Sequence, residues 1–99
     1  MVAAAGGASI RCTPYVAINT RALGEAALAA MEGGRRACLL GNHGLVACAD
    51  TPAAAVTLAE EVEWLAGTYL RALALGEPAH LTDREIGEVV ARFEVYGRA

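Results

Sequence analysis

Two short apolar runs, Ala37–Leu40 and Leu45–Ala49, stand four residues apart, and between them lies Gly41-Asn42-His43-Gly44. No other stretch limits the fold as much. Apolar runs of this length bounded by turn residues read as buried strands. The glycines allow the tight reversal that joins them. The expectation is an antiparallel pair with His43 at its tip. A side chain on a loop held by a rigid scaffold is a candidate for chemistry, and an imidazole is a ligand or proton carrier near neutral pH. The plain alternative is a turn histidine that hydrogen-bonds Asn42 or the backbone.

The flanking segments read as helices and one extended piece. Ile10–Ile18 is expected to be extended, with Pro14 holding it to a sheet edge or splitting it. Asn19 or Thr20 caps a helix over about 20–31, whose buried stripe is Leu23, Ala27, Ala30 and Met31, and Gly33-Gly34 stops it. Asp50-Thr51-Pro52 opens a second helix over about 52–75. Its apolar positions Ala55, Leu58, Val62, Leu65, Tyr69 and Ala72 follow helical spacing. Glu60, Glu61 and Glu63 point in different directions around that helix and read as a solvated face. Trp64 lies off the stripe and marks a second contact surface. Thr82-Asp83-Arg84-Glu85 is a capping box that opens a third helix over about 83–95, with Ile86, Val89, Val90 and Phe93 inward. Residues 1–9, rich in small side chains, are expected to be disordered. Arg35-Arg36 reads as a solvated edge and His80 as an exposed loop residue.

The chain has 99 residues, enough for one small domain. Its net charge of −3 and the lack of a basic patch argue against nucleic acid and against an anionic membrane surface. The first residues have neither the basic region nor the apolar core of a signal peptide. No stretch reaches the roughly 18 apolar residues a membrane span needs. Cys12, Cys38 and Cys48 are odd in number and unpatterned, which points to reduced thiols and a cytoplasmic setting. Hydrophobic residues make up 56% of the chain. That is above the roughly 45–50% of ordinary domains, so some apolar surface is expected to meet a partner.

The order of these segments resembles the C-terminal half of the class II aldolase/adducin family, in particular its L-fuculose-phosphate aldolase type. The features are a PY extended piece, a Thr-led helix, ACLLGNHGLVAC, a long Ala/Glu/Leu helix ending LALGEP, and LTDREIGEVVARFEVYG. The likeness runs from about Ile10 to Gly97. It implies an α/β fold: the C-terminal part of an α/β/α arrangement around a mostly antiparallel sheet, with residues 10–99 as a partial domain. It further implies zinc-dependent retro-aldol cleavage of a sugar phosphate, in which the metal polarises a ketose carbonyl, and a homo-oligomer that is a tetramer in the family. His43 matches the third histidine ligand of the family's zinc. Tyr96 stands near a tail tyrosine that helps close the active site, or else packs the last helical turn. The HxH ligands, the glutamate base and the phosphate loops of the family have no counterpart in this sequence. The chain alone is therefore expected neither to hold zinc nor to cleave substrate. Two alternatives keep the fold: a non-catalytic adducin-like interaction module, and a pentulose-phosphate 4-epimerase or dehydratase.

Overall fold

A computed structural model describes residues 2–96, apart from the side chains of Ala3 and Tyr96. The two apolar runs form strands β1 (Ala37–Leu40) and β2 (Gly44–Ala47). They pair antiparallel, with Ala37 opposite Ala47 and Leu40 opposite Gly44. The second strand begins one residue earlier than its apolar run and ends two residues sooner. Gly44 joins the ladder because it sits opposite Leu40. Beyond the Cys48 N–H bond to the Arg36 carbonyl (2.8 Å), the chain leaves the sheet so that Thr51 can cap the next helix.

Alternation along the strands sends neighbouring side chains to opposite faces. Ala37, Leu39, Leu45 and Ala47 share one face. There they meet Leu58 and Val62 of α2 (Pro52–Leu73). On the other face Cys38 is wholly buried, and its Sγ lies 3.9 Å from the Ala27 carbonyl of α1 (Arg21–Ala30). The hairpin is thus sandwiched between helices, the expected α/β layering. The Ile10–Ile18 segment reaches β1 through a single parallel bridge, Cys12 to Leu39. It goes no further as a strand because Pro14 has no N–H to give the ladder.

The caps are those the residue types favour. Thr20 Oγ1 accepts from Leu23 N (3.2 Å), while Asn19 takes a left-handed conformation with φ 59°. Thr51 Oγ1 accepts from Ala54 N (3.1 Å), and Pro52 takes the first helical position. Helix α2 stops at Leu73, two residues short of expectation, because its last turn tightens. Ala74, Leu75 and Gly76 each donate to the carbonyl three residues back. Helix α3 (Asp83–Tyr96) carries the capping box: Glu85 N donates to Thr82 Oγ1 (3.2 Å) and Thr82 N to Glu85 Oε1 (3.0 Å). Ile86 is its buried anchor.

The stretch expected to be disordered instead holds a 3-10 turn, Val2–Ala5, with Ala5 only 2% exposed beside Leu58 and Val62. Small side chains let it fit between α2 and α3. Arg36 holds it there: its N–H bonds the Ala5 carbonyl (2.7 Å) and its guanidinium the Ala4 carbonyl (2.6 Å). Arg35 likewise bonds the carbonyl and the hydroxyl of Ser9, both at 3.0 Å. Arg36 is exposed, as expected of a sheet edge, and Arg35 is half-buried, and both tie the N-terminal segment down. Among the described residues no helix is long and apolar enough to cross a membrane.

Candidate functional site

The connection between β1 and β2 is a tight turn closed by a bond from His43 N to the Leu40 carbonyl (2.9 Å). Asn42 sits at its third position with φ 66°, the left-handed value that a type II turn demands there and that asparagine tolerates. This backbone places the His43 side chain at the exposed tip.

A second segment comes to the same tip from the N-terminal side. Thr13 N donates to the Leu39 carbonyl (2.9 Å), and Leu39 N donates to the Arg11 carbonyl (2.8 Å). Thr13 is 5% exposed, and its hydroxyl accepts from Gly41 N (3.2 Å) at the first residue of the turn. Three residues on, the Val16 carbonyl meets His43 Nε2 at 2.7 Å. The Tyr15 ring lies beside the imidazole, its centroid 5.4 Å away and tilted by 36°. A carbonyl can only accept, so Nε2 must carry the hydrogen. In the neutral ring the lone pair then resides on Nδ1. One nitrogen is fixed by the backbone and the other is available to a ligand, the usual arrangement of a metal-binding histidine.

His43 therefore fits one position of a metal site. A catalytic zinc takes about three protein ligands, and among the described residues no group of three His, Cys, Asp or Glu side chains converges. His80 follows α2, where its Nε2 meets Glu77 Oε1 (3.0 Å) and its ring stands 6.2 Å from that of Tyr69. Glu60, Glu61 and Glu63 are exposed. All three cysteines are free. Burial, with the neighbouring Cys48 and Cys12 thiolates, pushes the Cys38 thiol above its ordinary range, which makes it a poor ligand and nucleophile. Tyr96 closes α3, and its side chain lies outside the described residues.

Two parts of this site carry no signal in the sequence. The acceptor for His43 is a main-chain carbonyl, which any residue at position 16 would supply. Thr13 is one polar residue in an irregular segment, and only its burial against Gly41 distinguishes it.

A model of the family described as "Class II Aldolase and Adducin N-terminal domain" matches residues 1–70. The chain is 48% identical over 97 residues to the 5-methylthioribulose-1-phosphate/5-deoxyribulose-1-phosphate aldolase of Rhodospirillum rubrum, covering 98% of this chain and 43% of that one. It is 47% identical over 98 residues to the L-fuculose phosphate aldolase of Escherichia coli K12, covering 98% and 45%. A solved L-fuculose 1-phosphate aldolase superposes with a TM-score of 0.88 at 39% identity, over 94% of this chain and 43% of that one. The chain thus spans somewhat under half the length of the curated relatives it matches.

Proposed function

We propose, for a chain that belongs to the class II aldolase and adducin family, that it supplies the C-terminal part of a zinc-dependent aldolase acting on a sugar phosphate. The observation that carries this reading is the His43 imidazole at the hairpin tip, with Nε2 held by the Val16 carbonyl and Nδ1 open. His43 would be one protein ligand of the metal, and the remaining ligands, the proton-transferring carboxylate and the phosphate contacts would come from another segment or subunit. The metal's contribution, when bound, is to polarise the substrate carbonyl and stabilise the negative charge that develops on it. The part played by this chain is to hold the imidazole in place and in the right protonation form.

The names of the relatives support a phosphorylated ketose as substrate, of the fuculose 1-phosphate or 5-deoxyribulose 1-phosphate kind. Homo-oligomer formation belongs to the same reading. It is supported by large apolar side chains left on the surface, Trp64 at 72% exposure and Leu70 at 68%. Three free thiols support a reducing, cytoplasmic setting.

The test is zinc content after dialysis, alongside cleavage of fuculose 1-phosphate and 5-deoxyribulose 1-phosphate, in the complete protein that carries these residues. His43→Ala is expected to remove metal and turnover together, while His80→Ala leaves both. A His43→Ala protein that keeps its zinc and its activity would refute the assignment. Zinc lost with His43, in a protein that never cleaves either ketose, would move the reading to another reaction on the same fold.

A further inference from the structure

We propose that Thr13 and Gly41 are positioning residues. Through the Val16 carbonyl they clamp the His43 imidazole as the Nε2–H form with Nδ1 left open. The inference rests on the reading of His43 as the working residue and says how the chain prepares it.

The clamp has three links. Thr13 N anchors the N-terminal segment to the Leu39 carbonyl of β1 (2.9 Å). The Thr13 hydroxyl then bonds Gly41 N (3.2 Å), so the segment is fixed to the turn itself and not only to the strand. Pro14 follows, and its ring fixes φ, which stiffens the short path to the acceptor at Val16. The Val16 carbonyl ends this path 2.7 Å from His43 Nε2, with the Tyr15 ring alongside.

Gly41 makes this approach possible for a steric reason. A Cβ at position 41 would stand 2.7 Å from the Thr13 carbonyl oxygen, 3.1 Å from Tyr15 N and 3.2 Å from the Pro14 carbonyl carbon. All three are main-chain atoms of the clamping segment, so none can swing aside as the end of a side chain would. The φ of Gly41 is not in the left-handed region, so alanine there is excluded by the neighbour and not by its own backbone. A methyl group would push residues 13–15 off the turn and carry Val16 away from His43. An imidazole held in one orientation and one tautomer before a ligand arrives avoids the ordering cost that a freely rotating side chain would incur.

The clamp is tested by NMR on the isotopically labelled 99-residue chain with no metal added and the histidines neutral. The expected signature is a one-bond proton–nitrogen correlation from His43 Nε2, slowed in exchange by its bond, together with a hydrogen-bonded Val16 carbonyl carbon shift. Gly41→Ala is expected to abolish both, while the amides of Ala37–Leu40 and Gly44–Ala47 keep their strand pattern and His80 is unmoved. Thr13→Val is expected to weaken or abolish both signals, and Thr13→Ser, which keeps the hydroxyl, to retain them. That pair decides the matter if Gly41→Ala fails to fold. Absence of the Nε2–H signal in the unsubstituted chain would overturn the clamp, as would its survival in folded Gly41→Ala or its survival at full strength in folded Thr13→Val. None of these outcomes touches the zinc assay on His43→Ala, so the clamp and the ligand assignment fail separately.

Discussion

Ala37 and Cys38 at the start of β1 are wholly buried, and Thr13 beside them is 5% exposed with its polar atoms bonded. Along α2 and α3 the pattern differs. Leu58, Val62 and Ile86 are buried, but Trp64, Leu70 and Val95 are 72%, 68% and 67% exposed. The hairpin is covered on both faces by α1 and α2, whereas each long helix is covered on one side only. The candidate ligand stands on the covered region. Its scaffold is therefore built within this chain, while the surface still seeking contacts lies on the outer sides of the helices. Every substitution that separates these regions tests the contrast.

The largest effect is expected at the seam between α2 and the sheet. Leu58 is 7% exposed and packs with Ala5, Ala37 and Val62. Leu58→Ala leaves a cavity there and should destabilise by about 2–5 kcal/mol. Domains of this size have only about 5–15 kcal/mol in total. Urea unfolding followed by circular dichroism should show the midpoint falling sharply. A loss below about 1 kcal/mol would mean that this seam is no better packed than the exposed side.

Cys38 comes next. Cys38→Ser places a hydroxyl among apolar side chains with at best the Ala27 carbonyl to meet, and should cost about 1–3 kcal/mol. The same burial should make Cys38 the slowest of the three thiols to alkylate in the native chain, with the exposed Cys12 and Cys48 reacting first. Peptide mapping after a timed iodoacetamide pulse distinguishes them. The sign of the pH effect follows from the raised thiol. The unfolded chain ionises first, so the stabilisation is intact below the ordinary thiol value of 9.0 and is lost as pH rises past it and through the raised value. Equal alkylation of all three cysteines at neutral pH would show the hairpin region to be open.

The same contrast explains what was legible in the sequence. β1 matches its apolar run, and the helices fall within two residues of their periodic patterns. Burial on one face leaves a period in the residue types, and caps such as Thr20, Thr51 and Thr82 leave a local signal. His43 at the turn was legible for the same reason. Three features were not. The turn Val2–Ala5 is made of small residues with no period to read. The second strand gained Gly44 and lost Cys48 and Ala49, because pairing and the need to reach Thr51 set its ends, not hydrophobicity. The clamp on His43 depends on a bond between residues 28 apart in sequence, on a main-chain carbonyl and on the absence of a Cβ at Gly41. None of these is a pattern of residue types.

A smaller effect is expected at the start of α3. The Glu85 carboxylate is held below its ordinary range first by its bond from Thr82 N and then by the Thr82 hydroxyl. The folded form therefore releases its proton more readily than the unfolded one. Its contribution is present above the ordinary carboxylate value of 4.5 and is lost as pH falls below it and through the lowered value. Thr82→Ala should fray the first turn of α3 at neutral pH and lessen this acid sensitivity, since the hydroxyl is lost while the N–H of residue 82 stays, leaving the hairpin amides unchanged. Residue-level hydrogen exchange checks both statements. If the hairpin amides lost protection as well, α3 and the sheet would be one cooperative unit and the two regions would not be separable.

The smallest effect should come from the largest side chain. Trp64 is 72% exposed and borders open hollows, one with Leu45, Val56 and Ala59 and another with Arg36, Leu58 and Phe93. In the single chain its ring gains little from folding, because the area it hides from water is small and the hydrophobic gain scales with that area. Trp64→Gln should therefore change the unfolding free energy by no more than about 0.5 kcal/mol, as for other surface positions. That value belongs to dilute protein. If copies associate through this face, Trp64 becomes buried in the assembly and its substitution acquires a cost that grows with concentration. Urea midpoints of the original and Trp64→Gln chains, measured at low and high protein concentration beside sedimentation of each, separate the two situations. Coincident midpoints at both concentrations would confirm that the helices face solvent. A gap that opens with concentration, together with lighter sedimentation of Trp64→Gln, would show that a second copy finishes what α2 leaves exposed. A cost of several kcal/mol at all concentrations would break the comparison outright, because Trp64 would then belong to the core of a single chain.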